Sequence, residues 1–581
     1  MALRIEMIST LYLNSSSHTK PLRIGVVVND FSIESVFRQV LVDIEESDFA
    51  NLELVIVNSQ ERSRSEATSP LAGKLSRFLR RVGDRENRRL LLYEGFQKYN
   101  RRRLNHPNNP LAFVDCTDIL HACKRLDVNF HTLSEAVASI QACDLDVILC
   151  LGINFLGRAV SGVARYGVWS HQYGDNEFYR GGPPLFWEVI EDNPCSGVIL
   201  RVLTETPHEG LVLCKSVFET ARGLWPSRNL FQPYWSSTHF VIRKLHALHE
   251  LGWSAIEQQA VPPTPYKGKA EIYRAPNNLQ MLKWLVPEVG KELNRRHNPW
   301  RAEKADYWRI CLRSADSPGL LTGQTSDKSG FRWMKCPRGH YFADPILFQY
   351  QGQTWVFFED YIYEEKRGRI SCAPVQSDLS TGEPIVCLDL SYHLSYPLLF
   401  HHDGEIFMIP ESNMNGSVEL WRATNFPFAW KLEKILFKGL LVDTTPVLHG
   451  GRWYFFTALL ERYRKSAFGA LFSSDGLTQD WVRHPSCPIS TDIRDARSAG
   501  AILPVGNRLL RPVQDCAERY GRRIHIDEIL ELSPDAYSAR RTHSIEPDWD
   551  RRLKGVHTYA FCPGFEVLDA VSREDPRGVT L

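Results

Sequence analysis

The chain has 581 residues, 43% hydrophobic and 24% charged, a globular balance that excludes wholesale disorder and fibrous repeats. Its net charge of +1, from 69 basic and 68 acidic side chains, gives no whole-chain attraction for nucleic acid. No window nears ~18 uninterrupted apolar residues, so no transmembrane segment is expected, and the apolar patch from Ile8 to Leu13 is too short for a signal core. In chain order, the first elements are two near-continuous apolar runs, Leu22 to Val28 (LRIGVVV) and Leu52 to Val57 (LELVIV). Helically spaced apolar residues lie between them, from Phe31 to Ile44. Runs apolar on both faces, alternating with a helix, predict βαβ units and a buried parallel sheet. Leu145 to Leu151 (LDVILCL) and Gly167 to Ser170 predict two more strands. Neither a Gly-x-Gly-x-x-Gly turn nor a Gly-Lys-Ser/Thr loop follows the first strand, so the Rossmann-like fold assigns no dinucleotide.

Between these strands, Lys74 to Arg103 holds eleven basic and three acidic residues. Leu75, Phe78, Leu79 and Val82 predict an amphipathic helix whose basic side is either a solvated face or a dock for an anionic partner. His246, His249 and Glu250 share a helical face but lack the further ligands a metal site needs. His401 and His402 lead into a hairpin turn.

The second half repeats itself. Five segments share one plan: a small or Pro-containing start, a strand, a turn and an aromatic-rich strand. They begin at Asp344-Pro345, Tyr396-Pro397, Thr445-Pro446, Gly500-Ala501 and His557-Thr558, with spacings of 49 to 57 residues. The turns Gln351-Gly352, Asp403-Gly404, Gly450-Gly451 and Gly506-Asn507 are hairpin dipeptides. Room for two further strands per copy predicts four strands five times over, a five-bladed β-propeller.

Residues 167–213 carry Tyr179-Arg180-Gly181-Gly182-Pro183-Pro184 between two strand-like runs, with His208-Glu209-Gly210 beyond. This resembles the formyltransferase family, which includes methionyl-tRNA and sugar N-formyltransferases. The resemblance implies an α/β Rossmann-like formyltransferase domain, 10-formyltetrahydrofolate as donor, and an amine on a sugar or sugar-like metabolite as acceptor. In that family an Asn and a His donate to the tetrahedral oxyanion and an Asp serves the His, each donor contributing several kcal/mol. Here Trp169 stands two residues before His171, and His208 falls at the Asp position. The resemblance therefore implies His171, Asp175 and His208 as the catalytic set, with Asn176 and Arg180 as substrate-binding residues. These departures also admit a catalytically degenerate scaffold in glycan assembly.

The repeat region contains Phe342-Ala343-Asp344-Pro345, Phe357-Phe358-Glu359-Asp360, His393-Leu394-Ser395-Tyr396-Pro397, Met408-Ile409-Pro410-Glu411 and Gln514-Asp515-Cys516. These resemble the N-terminal domain of plant glucosamine inositolphosphorylceramide transferase. The plan is also similar to five-bladed glycosidases, which place three carboxylates around the axis. Their nearest equivalents here are Asp344, Glu411 and Asp443. With Tyr396, Asp515 and His557, these form the expected carbohydrate or nucleotide-sugar site, without a metal. Thirteen scattered cysteines lacking a Cys-x-x-Cys pair fit reduced thiols and a cytoplasmic location. The expected boundaries are 20–215 for the first domain, 216–325 for a helical or irregular connection and 326–581 for the propeller.

Overall fold

The computed structural model describes residues 3–4, 12–58, 88–103, 108–129, 133–152, 162–205, 210–262, 264–297, 306–460 and 467–573. It divides into two compact units, Met7–Asn294 and Arg295–Leu581 with Met1–Glu6. In the first, the apolar runs form adjacent parallel strands. Leu22–Val28 pairs with Ala50–Asn58 on one side and Val147–Cys150 on the other. Helix Ser35–Glu45 makes the first crossover and buries Val36, Phe37, Val40, Leu41 and Ile44. Lys124–Val128 and Val168–Tyr173 extend the parallel set at its two flanks.

Cys195–Val202 and Val212–Glu219 then add antiparallel strands, so the seven-stranded sheet is mixed rather than wholly parallel. The short link between these two strands cannot span the crossover of about a dozen residues that a parallel pair needs. Val27, Ile56, Ile148 and Val168 lie in one buried cluster, each contributing about 1.5–3 kcal/mol by leaving water. Helix Leu91–Arg103 takes up the end of the basic stretch. Leu75, Phe78, Leu79 and Val82 lie outside the described residues. His246, His249 and Glu250 clamp the chain near its N-terminus: His249 Nδ1 meets Ser15 Oγ at 2.8 Å, His246 Nε2 meets the Asn14 carbonyl at 3.0 Å, and Glu250 accepts from the Ser16 N–H at 2.8 Å. Among the described residues no helix is long and apolar enough to cross a membrane.

The second unit is a five-bladed β-propeller. Its first three inner strands are His340–Tyr350, Ser395–His402 and Leu441–His449, each hairpinned to the next strand outward. In the turns, Gln351, Gly352, Asp403, Gly404, Gly450 and Gly451 all have positive φ, as type I′ hairpins require. The fourth blade starts with the short Arg497–Ser498 and Leu503–Val505, both paired with Arg508–Asp515. Apolar layers between blades hold the ring. One contains Ile346, Phe357, Ile370, Leu398 and Met408.

The fifth blade is assembled from both ends of the unit. Tyr559–Cys562 and Gly564–Arg573 supply its inner strands, and Asp306–Ala315 pairs with Gly564–Arg573 over ten residues. That closing strand comes from the stretch expected to be connecting chain. Its outer neighbour is Arg332–Trp333.

Candidate functional site at the propeller axis

Each of the first three inner strands breaks register near its start, between Ala343 and Ile346, Ser395 and Leu398, and Val442 and Thr445. Within those bulges Asp344, Tyr396 and Asp443 take φ of 52°, 44° and 51°. The fourth blade has Gly500 there, at 133°. Non-glycine residues in this region cost about 1–3 kcal/mol and persist only where the surroundings fix them. What fixes them here is a hydrogen-bond network linking successive blades.

Asp344 N–H donates to Asp569 Oδ2 at 2.9 Å, while its carboxylate accepts from Thr558 Oγ1 at 2.8 Å and Tyr396 N–H at 3.2 Å. Tyr396 is 0% exposed. Its hydroxyl bonds Thr445 Oγ1 at 2.9 Å and accepts from the Gly500 N–H at 2.8 Å. It thus ties the second blade to the third and fourth, and its ring has no free face on which a sugar could stack. Asp443 is gripped by Arg497 through Nε at 2.5 Å and Nη2 at 3.1 Å. His557 Nδ1 lies 2.6 Å from Asp569 Oδ2, and its Nε2 lies 3.6 Å from Asp344 Oδ1.

Beside this network is a cavity of about 200 Å³, lined by Asp344, Glu359, Glu411, Arg497, His557 and Tyr520 among others. Burial raises Glu359 well above its ordinary value, and the charge of Asp344 adds to this. Burial and the charge of Asp443 do the same to Glu411. Burial lifts Asp344 to about 6. Burial pulls His557 down, but Asp569 and Asp344 outweigh it and hold the imidazolium above its usual range. The cavity therefore gathers three carboxyl groups whose protonated form burial favours, together with Arg497 and His557, within one small volume. Asp344, His557 and Asp569 also bring one ligand atom each within 4.8 Å of one another, the composition of a cation site. Asp569 already accepts from His557 and from the backbone N–H groups of Asp344, His557 and Thr558, so these side chains satisfy each other.

Of the expected residues, Asp344, Glu411 and His557 line the cavity and Asp443 stands behind it, bound to Arg497. Asp515 lies 3.1 Å from His525 Nε2 and is not part of the lining. The reading of single blade starts missed Glu359, Arg497, Asp569 and Tyr520. Of the lining aromatics Trp308, Tyr341 and Tyr520, the last is the most exposed, at 44%; it is edge-on to His557 at 5.4 Å, with the Arg497 guanidinium over its ring at 5.0 Å.

The stretch 329–558 matches the family model for glucosamine inositolphosphorylceramide transferase 1, N-terminal. The propeller is similar to that domain. The chain is 37% identical over 204 residues to glucosamine inositolphosphorylceramide transferase 1 of Arabidopsis thaliana, covering 34% of this chain and 26% of that protein. It is 33% identical over 223 residues to the protein of the same name from Oryza sativa subsp. japonica, covering 38% and 29%. The chain thus spans less than a third of the length of either relative. Among solved structures, the family 117 glycoside hydrolase Zg3597 of Zobellia galactanivorans is 10% identical, with 47% of this chain and 93% of that one covered and a TM-score of 0.31. The catalytic domain of the Coprinopsis cinerea GH62 alpha-L-arabinofuranosidase is 10% identical, with 46% and 98% covered and a TM-score of 0.32.

Of the set expected in the other unit, His171 and Asp175 are not brought together. His171 pairs in register with Leu200, and Leu200 with Cys214; Gln172 pairs with Ile199, and Ile199 with Lys215. Because successive residues of a strand alternate faces, Lys215 lies on the face opposite His171. Asp175 is held by Lys215 Nζ at 2.8 Å and so belongs with the opposite face. His171 instead donates from Nε2 to the Ser237 carbonyl at 3.1 Å, near the rings of Phe37, Tyr173 and Phe240. Desolvation lowers its pKa to about 4, so it stays neutral. Asn176 and Arg180 are joined by an Nε to carbonyl bond of 3.3 Å. His208 lies outside the described residues. A His171–Asp175 acid–base pair does not fit this arrangement, and no formyl-transfer step follows from it.

Proposed function

We propose that the propeller cavity binds one sugar residue and that the protein works in sugar transfer or glycan assembly. The observation that carries this reading is the cavity lining itself. The carboxyl groups of Glu359, Glu411 and Asp344, with Arg497 and His557 beside them, suit hydroxyl groups that both donate and accept, and Tyr520 offers a ring next to them. The volume is smaller than the ~300–1,000 Å³ of drug-sized pockets, as one monosaccharide requires. The relatives' names add an amino sugar as the first ligand to try. Titration calorimetry with glucosamine, N-acetylglucosamine and a nucleotide sugar tests it. Millimolar or tighter binding that Glu411→Gln weakens supports the reading, and absence of binding to all three defeats it.

A second reading concerns the mixed-sheet unit and rests on the likeness of Tyr179 to Pro184 to the formyltransferase loop. On that reading 10-formyltetrahydrofolate binds there without the family's acid–base set. Calorimetry showing no folate binding at millimolar concentration leaves a unit that has lost that chemistry, in keeping with a scaffold role.

A further inference from the structure

The face of the mixed sheet that carries Gln172 holds a group of charges that do not balance. Ser170 pairs with Arg201, and Gln172 with Ile199, so Gln172 and Arg201 are diagonal neighbours on one face, about 7–8 Å apart at the backbone and within reach of long side chains. Arg180 joins them: its guanidinium lies over the Tyr266 ring at 4.3 Å, and its charge adds to the burial that lowers the Arg201 pKa. The acids of this face are already neutralised. Lys215 Nζ holds Asp175 at 2.8 Å and Glu177 at 2.6 Å, and Lys267 reaches Glu177 at 3.4 Å. Glu188, near Asp175, is kept protonated by burial, its pKa pushed up to about 8.

That leaves Arg180 and Arg201 without a carboxylate among the described residues. Beside them, Gln172 Nε2 and Oε1, Asn176 Oδ1 and Arg201 Nε are buried with no hydrogen-bond partner. Native interiors leave few such atoms, and drawing a cation partly out of water without a counter-charge is unfavourable. A water could serve the Gln172 amide, but it cannot neutralise two guanidinium groups.

We propose that this face binds a phosphoryl oxyanion, held by Arg180 and Arg201 and capped by the Gln172 amide. A carboxylate would occupy one arginine fork, whereas the three oxygens of a phosphoryl group can meet both forks and an amide donor. The site is separate from the propeller cavity and independent of the sugar reading.

Calorimetry on the full chain tests it, with inorganic pyrophosphate as one probe and phosphatidylcholine vesicles containing phosphatidylinositol as the other. Pyrophosphate should bind, with affinity falling at least tenfold in Arg180→Gln and in Arg201→Gln and weakening as salt rises. Binding to pyrophosphate alone assigns a soluble phosphoryl ligand; binding to the phosphatidylinositol vesicles as well assigns a lipid headgroup. No binding to either probe, or unchanged affinity in both variants, overturns the proposal. Melting gives a second readout. Without anion, Arg201→Met should raise Tm, because it removes a half-buried charge that has no carboxylate partner, and pyrophosphate should raise the Tm of the parent but not of the variant. A lower Tm for Arg201→Met makes the arginine a packing element and also overturns the proposal.

Discussion

At the propeller axis His557 stands 2.6 Å from Asp569, and Arg497 grips Asp443 through two nitrogens. On the mixed sheet, Arg180 and Arg201 sit near one another, and neither forms an ion pair among the described residues. Both regions draw ions at least partly out of water, but only in the first do the arginines meet carboxylates. The axial set is therefore part of the architecture: its bonds run from blade to blade and hold left-handed residues in place. The sheet set contributes nothing comparable to the unliganded fold. Polar residues drawn out of water thus divide into those that complete a structure and those left over from it, and hydrogen-bond and ion-pair partners separate the two better than burial does.

The largest effect that could break this distinction is removal of Asp569. It serves three buried backbone donors and His557, so Asp569→Ala should cost about 3–5 kcal/mol, the range for an uncompensated buried ion. Urea unfolding measures it, and a loss below about 1 kcal/mol would make the axial network incidental.

The pH dependence of stability sharpens the contrast, because the two regions slope in opposite directions. Asp344 has its folded pKa raised to about 6 from 3.8. Its contribution is fully present below about pH 4 and is lost as pH rises through 6, by at most roughly 3 kcal/mol. Stability of the parent minus that of Asp344→Asn should therefore fall across that window. His171, lowered to about 4 from 6.5, behaves oppositely. Its contribution is present above pH 6.5 and lost as pH falls through 4. Parent minus His171→Gln should rise between pH 4 and 6.5, by a similar or smaller amount. Parallel slopes would mean that one of the two groups is not held as described.

The smallest expected effect is that of Tyr520→Ala. With its ring 44% exposed, stability should change by less than about 1 kcal/mol, while sugar affinity should fall by about tenfold. Lost stability with unchanged affinity would place Tyr520 among the architectural residues instead.

The propeller was legible because its physics repeats: five strand pairs at near-constant spacing, four of them joined by turn dipeptides, leave a periodic trace. Asp344, Glu411 and His557 were found because they sit at or near blade edges in that frame. Glu359, Arg497 and Asp569 were not, because their roles come from side chains that meet across blades, and nothing local in Arg497-Ser498 announces an ion pair with Asp443 fifty-four residues earlier. The closing strand Asp306–Ala315 was missed for the same reason, since its partner lies at the far end of the unit. In the mixed sheet, the parallel core was readable from uninterrupted apolar runs. The His171 and Asp175 arrangement was not, because strand pairing, not proximity in sequence, decides which face each side chain takes. Gly174, at φ 142°, stands between the strand end and Asp175 and redirects the chain there.

The shared fifth blade also governs how the molecule comes into being. Arg313 and Glu566 form a charged contact across 253 residues of chain. A ribosome must therefore release nearly the whole propeller before its first strand finds its inner neighbour Gly564–Arg573, and that edge of Asp306–Ala315 waits unpaired meanwhile. Such long-range closure slows folding and exposes the nascent chain to misassociation. A fragment cut at residue 329, where similarity to the plant transferases begins, would lack that strand and leave the ring open. Once shut, the same joint acts as a latch: the remaining blades cannot peel apart in turn until the ten-residue ladder to Gly564–Arg573 gives way.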